Sequence, residues 1–70
     1  MISYDVFWET LQRKGITQYA LIHKYNLSAG YISRIKAGKN INTTTIDMLC
    51  NILDCEVQDI IRYVKDDNVT

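Results

Sequence analysis

Between positions 24 and 39 the chain carries Lys24, Arg34, Lys36 and Lys39 and not one carboxylate. Ammonium and guanidinium groups collected in this way bind oxyanions, and a guanidinium can also fork two acceptors along one planar edge. Ser28, Tyr31 and Ser33 stand among them as compact hydrogen-bonding groups. The basic block is wider than this stretch. Residues 10–46 add Arg13 and Lys14 and hold a charge of +6 with no acid, whereas residues 1–9 carry −2 and residues 47–70 carry −4. A formal charge of zero thus conceals a basic centre between acidic flanks. A phosphate backbone responds to that local potential rather than to the average.

Other chemistries lack their parts. Ser33 has no histidine–acid partner in the sequence and the acids form no paired pattern, so no enzyme is expected. Cys50, Cys55 and the single His23 are too few to hold a metal. No cofactor is expected. His23 reads as a lone exposed helix residue and not as a ligand. The two cysteines make no disulfide framework and read as reduced, buried thiols. The apolar runs fall far short of the ~18 residues of a membrane span. The opening MISYDVFW has neither a basic leader nor a cleavage-type small-residue site. The expected compartment is the cytoplasm, away from any membrane.

The groups that could meet an oxyanion must be held by a small scaffold. At 47% hydrophobic and 23% charged residues the composition is that of a globular protein. Residues 1–70 read as a single domain. At this length a chain buries only about 60% of its unfolded surface, which makes the core marginal and self-association reasonable. No second domain is visible to sense a small molecule, so no such ligand is expected. Proline is absent and strand-like alternation is hard to find, which predicts an all-α fold.

Ser3 can cap a first helix over about 4–14, with Tyr4, Phe7, Trp8 and Leu11 on one apolar stripe and Gly15 as its left-handed stop. Thr17 can cap a second helix, carrying Leu21, Ile22 and Tyr25, and Asn26 suits a left-handed exit. Ser28 can cap a third, with Ile32 and Ile35 inward and Gly38 at its end. Residues 17–38 therefore read as helix, tight turn, helix. Closing helices are expected over about 43–64. The fourth is capped by Asn42 and carries Ile46, Leu49, Cys50 and Leu53; the fifth places Val57, Ile60, Ile61 and Val64 on the core. Residues 66–70 read as frayed.

Two short helices joined by a tight turn, apolar on one side and basic on the other, form a helix-turn-helix arrangement. Here the chain resembles the Cro/repressor-type (XRE-like) helix-turn-helix family of bacteria and phages, especially its small single-domain members. Thr17-Gln18, Leu21, Asn26-Leu27-Ser28, Ile32-Ser33 and Gly38-Lys39 carry the resemblance, with Ile46…Leu49-Cys50…Leu53-Asp54-Cys55…Asp59-Ile60 behind them. It covers about residues 3–64. Ile22 departs from the usual alanine and Asn26 from the usual turn glycine. The resemblance implies a five-helix lambda-repressor-like domain and a sequence-specific regulator of transcription, a repressor, acting on double-stranded DNA. It also implies a homodimer, formed free or only on DNA, expected through the fifth helix and the N-terminal residues, where Met1, Ile2, Tyr63 and Val69 offer apolar surface.

The geometry of the third helix assigns the site. With Ile32 and Ile35 inward at 100° per residue, Gly30, Ser33, Arg34 and Ala37 point outward and Tyr31 lies on one shoulder. Candidate base contacts are Ala29, Gly30, Tyr31, Ser33 and Arg34, with Arg34 forking a guanine and Ala29 meeting a thymine methyl. Candidate phosphate contacts are Ser28, Lys36 and Lys39, and the resemblance adds Gln18, which opens the second helix. The plainer alternatives are a solvated basic face, an incidental Gly30 and a Tyr31 that packs on its neighbours. A helix-turn-helix turned to protein binding, as an antitoxin-like partner or anti-regulator, is the rival function.

Overall fold

The second, third and fourth helices begin where a short polar side chain caps free amides, whereas the first has Tyr4, not the expected Ser3, at its cap position, and Tyr4 makes no such bond. The computed structural model describes residues 1–65. In it the Ser3 hydroxyl accepts from the Asp5 amide at 3.2 Å, and α1 runs over Asp5–Lys14 to a left-handed Gly15 (φ 67°). Thr17 accepts from Ala20 at 3.0 Å and opens α2, Gln18–His23. Asn26, at φ 58°, turns the chain, and the Leu27 amide closes the turn on the Leu21 carbonyl at 2.9 Å. Ser28 accepts from Gly30 at 3.3 Å and opens α3, Ala29–Lys36. Asn42 accepts from both the amide and the hydroxyl of Thr45, at 2.9 and 3.0 Å, and opens α4, Thr43–Leu53.

The amphipathic faces meet in one core. Phe7 and Leu11 of α1, Leu21 of α2, Ile32 and Ile35 of α3, and Leu49 and Leu53 of α4 are buried together with Leu27 and Ile60. The bulky Ile22 packs half-buried at its edge. Thr10 is buried too, and its hydroxyl donates to the Asp59 carbonyl at 2.8 Å, fixing α1 against the segment that follows α4. No helix among the described residues is long and apolar enough to cross a membrane.

The expected fifth helix is not formed. A 3₁₀ turn over Val57–Asp59 is followed by a short strand, and the described residues form four α-helices. That strand, β2 (Arg62–Tyr63), pairs antiparallel with β1 (Ile2–Ser3), Ile2 facing Tyr63 and Ser3 facing Arg62. The physical reason lies in the segment's own residues. The Glu56 amide donates to the Asp59 carboxylate at 3.0 Å in a reciprocal capping pair that closes one tight turn. Beyond it, the β-branched Ile61 and Val64 flank Arg62–Tyr63 and favour extended backbone, which β1 is placed to pair. Of the apolar positions assigned to the core, only Ile60 is buried; Ile61 and Val64 are half-buried and Val57 is 51% exposed. Strands of two residues are too short to show alternation in a sequence. The expected fraying of 66–70 lies outside the described residues.

β2 is also tied to α1 by charge. The Arg62 Nε lies 2.9 Å from both carboxylate oxygens of Asp5, whose position in the first turn of α1 also suits the helix dipole. Hydrogen bonding from Arg62 leads the causes that lower the Asp5 carboxyl from 3.8 to about 2. Because the folded value lies below the unfolded one, the pair stabilises the fold above pH ~4, and that contribution fades as pH falls toward about 2. Arg62→Ala should therefore narrow the difference in thermal midpoint between pH 6 and pH 2.5. A midpoint difference equal to that of the wild type would show that the pair does not couple to folding.

Candidate nucleic-acid interface

The inward turn of Ile32 and Ile35 leaves Ala29, Gly30, Ser33, Arg34, Lys36 and Ala37 exposed along α3. Ser28 and Lys39, at the two ends of the helix, are exposed as well. Gln18 and Tyr31 are half-buried, and Tyr31 packs against the core, so only part of its ring is available outside. The Ser28 hydroxyl, already accepting from Gly30, still has its own proton to donate. A Cβ built on Gly30 would meet only Ser28 Oγ, at 3.5 Å, and the residue does not have positive φ. The fold therefore does not require glycine there.

Arg34 is not a free side chain in solvent. Its Nε and Nη2 both donate to the Asn40 carbonyl, at 3.1 and 2.7 Å. This fork uses one edge of the guanidinium and leaves the Nη1–Nη2 edge open. The Lys39 amide in turn donates to the Arg34 carbonyl at 2.9 Å, and the Tyr4 hydroxyl donates to the Lys39 carbonyl at 2.7 Å. The loop between α3 and α4 is thus held from two elements, and it holds Arg34 in return. Tyr31, Arg34, Asn40, Ile41, Asn42 and Thr45 line a shallow groove of about 270 Å³ beside it.

α2 adds a second exposed surface. Tyr19 is 72% exposed, and its ring lies 4.1 Å from that of His23, one helical turn along. Lys24 places its ammonium 5.6 Å from the Tyr25 ring centroid. The spacing of Tyr19 and His23 at i and i+4 was visible in the sequence, and the pair was nonetheless missed as a unit. The roles of Tyr4 and of the Asn40 carbonyl carry no comparable sequence signal. The basic side chains of residues 10–46 stand mostly without acidic partners among the described residues. The one ion pair they make runs from Arg13 to Asp59 at 3.7 Å, and Arg34, Lys36 and Lys39 have no carboxylate partner among the described residues.

Such a surface is built to receive an extended polyanion. A helix with small residues at its exposed start allows close backbone approach, a braced arginine offers a flat pair of donors, and cations flank both. Residues 6–66 match a family model described as a Cro/C1-type HTH DNA-binding domain. Among solved structures, one reported as the crystal structure of transcriptional regulator VanUg (form II) superposes with a TM-score of 0.80. It shares 22% sequence identity over 93% of this chain and 87% of that one, a likeness of fold. No curated protein matches the chain in sequence.

Proposed function

Since the chain belongs to the Cro/C1-type helix-turn-helix DNA-binding domain family, we propose that it is a sequence-specific regulator of transcription, a repressor, that lays α3 in the major groove of duplex DNA. The observation that carries this reading is the exposed face of α3, where small residues and a braced Arg34 are set in a region without carboxylates. One acid on that face would repel the duplex. Ala29, Gly30, Tyr31, Ser33 and Arg34 meet base edges. Gln18, Ser28, Lys36 and Lys39 meet phosphates and fix the register, since backbone contacts position and base contacts specify.

The division of roles makes a direct expectation. Lys36→Ala or Lys39→Ala weakens binding to every duplex alike and flattens the plot of log affinity against log salt by about one unit of slope each. Selection of bound duplexes from a random pool, followed by affinity measurements on selected and scrambled sites, tests both halves of this. A lysine variant that alters base preference while keeping the wild-type slope would move that lysine from the phosphates to the bases. Failure to enrich any duplex, with capture of a protein partner instead, would favour the protein-binding reading.

A single module of this size buries about 600–1,000 Å² on DNA, which limits specificity, and two copies on a palindrome overcome that limit. The ribbon of β1 and β2 is where a second copy fits best. Met1, Ile2 and Tyr63 are exposed by 65%, 51% and 70% around it, and both strands keep an unpaired edge within the described fold. The surface first expected on a fifth helix therefore moves to this ribbon. Sedimentation of the protein with a full-length site should show two copies per duplex. A one-to-one complex that recruits no second copy at higher protein concentration would exclude the dimer.

A further inference from the structure

The end of α4 brings two thiols together for a backbone reason. Asp54 takes the left-handed conformation at φ 50°, and the Cys55 amide donates across it to the Cys50 carbonyl at 3.1 Å. This is the six-to-one hydrogen bond of a Schellman motif, whose two bonded residues bring their side chains into contact, usually as an apolar pair. Here that position is filled by cysteines. Both are free and half-buried. Both also line an open groove of about 340 Å³ with Ile46, Val57 and Ile61 on its walls, so a small reagent can reach them.

We infer that Cys50 and Cys55 form an oxidative modification site, converted by a low-molecular-weight disulfide into an intramolecular Cys50–Cys55 bond that fastens the end of α4 to the segment leading into the 3₁₀ turn. The Cys50 thiolate attacks one sulfur of the reagent, its S–S bond breaks, and the departing thiolate takes up the proton that Cys50 lost. Cys55 then gives up its proton and attacks the Cys50 sulfur of the mixed disulfide, releasing the second thiol. The protein dithiol is oxidised by two electrons and one reagent disulfide is reduced to two thiols.

The surroundings set the pace. Burial does most to push both thiols up, Cys55 to about 11. Asp47, Glu56 and Asp59 add to this at Cys50, and the neighbouring Cys50 and Asp59 add to it at Cys55, with Lys14 the opposing cation. Thiolate is scarce at neutral pH, so closure is slow there and speeds up about tenfold per pH unit toward pH 8–9. The site is well removed from α3. Asn42, which starts α4 beside the DNA-facing loop, lies about 12 Å along the helix axis from Cys50. The bond therefore acts on the 3₁₀ turn and β2, and it is independent of the DNA-binding reading.

Oxidised glutathione is a suitable probe, with the full chain and its Cys50→Ser and Cys55→Ser variants incubated at pH 8 and weighed without reductant. The wild type is expected to lose two hydrogens, carry no glutathione and stay monomeric on a non-reducing gel. Each serine variant is expected to end with one glutathione attached. Closure in the native fold should raise the thermal midpoint by roughly 5–15 °C, and dithiothreitol should reverse it. A wild type that retains glutathione, links to a second chain, or closes with a lowered midpoint would overturn the inference.

Discussion

Phe7→Ala lowers the free energy of unfolding by about 3–5 kcal/mol, the range for truncating a buried aromatic side chain. Phe7 is 0% exposed and sits edge-on to Trp8 with ring centroids 4.9 Å apart. It forms one core with Leu21 of α2, Leu49 of α4 and Ile60, so its removal opens a cavity where several elements meet. The total stability of a domain this small is on the order of 4–10 kcal/mol. The variant therefore loses a large part of its stability, and at the low end of that range it is unfolded and loses DNA binding as a consequence. Urea titration followed by far-ultraviolet circular dichroism and by Trp8 fluorescence measures the change. A loss under about 1 kcal/mol would mean that Phe7 does not anchor the core.

Arg34→Ala affects recognition and leaves the fold intact. It is expected to weaken binding to the preferred site by about 1–3 kcal/mol and to relax preference at one base position. Arg34 is exposed and its bonds to Asn40 lie at the surface, so unfolding should change by no more than about 1 kcal/mol. The Asn40 carbonyl already restrains the guanidinium, reducing the side-chain entropy lost when its open edge meets a guanine. Arg34→Lys separates shape from charge. A lysine keeps the positive charge but cannot fork Asn40 and a base together. It should retain the salt dependence of the wild type while losing the base preference. Full recovery of preference by lysine would reduce Arg34 to a point charge, and unchanged affinity and preference in the alanine variant would remove it from the readers.

The parts of this molecule that were legible in the sequence are those decided within a few residues. Thr17, Ser28 and Asn42 cap helices because a short oxygen-bearing side chain reaches amides two or three positions ahead. Gly15, Asn26 and Gly38 turn left-handed because little or nothing at Cβ opposes it. The inward placement of Ile32 and Ile35 followed from helical spacing, and with it the exposed face of α3. The end of the chain was misread for the complementary reason. Val57, Ile60, Ile61 and Val64 fit a helical stripe, but among them Arg62 and Tyr63 pair with Ser3 and Ile2 at the opposite end of the sequence, which local spacing does not register. The Thr10–Asp59 and Asp5–Arg62 bonds were hidden by the same separation. Arg34 and Asn40 are close in sequence, yet their contact depends on the path of the loop after Gly38, which no residue type encodes.

The surface around α3, in a stretch of sequence without acids, is expected to bind the backbone of duplex DNA. The most direct test is the affinity of the wild-type protein for a selected duplex across a range of salt concentrations. Neutralising Z phosphates gives a slope of about −0.9Z in log affinity against log salt, so the Lys36 and Lys39 contacts predict about −2 for one copy and about −4 for two copies on one site. A slope near zero would contradict the account and leave the surface to a protein partner.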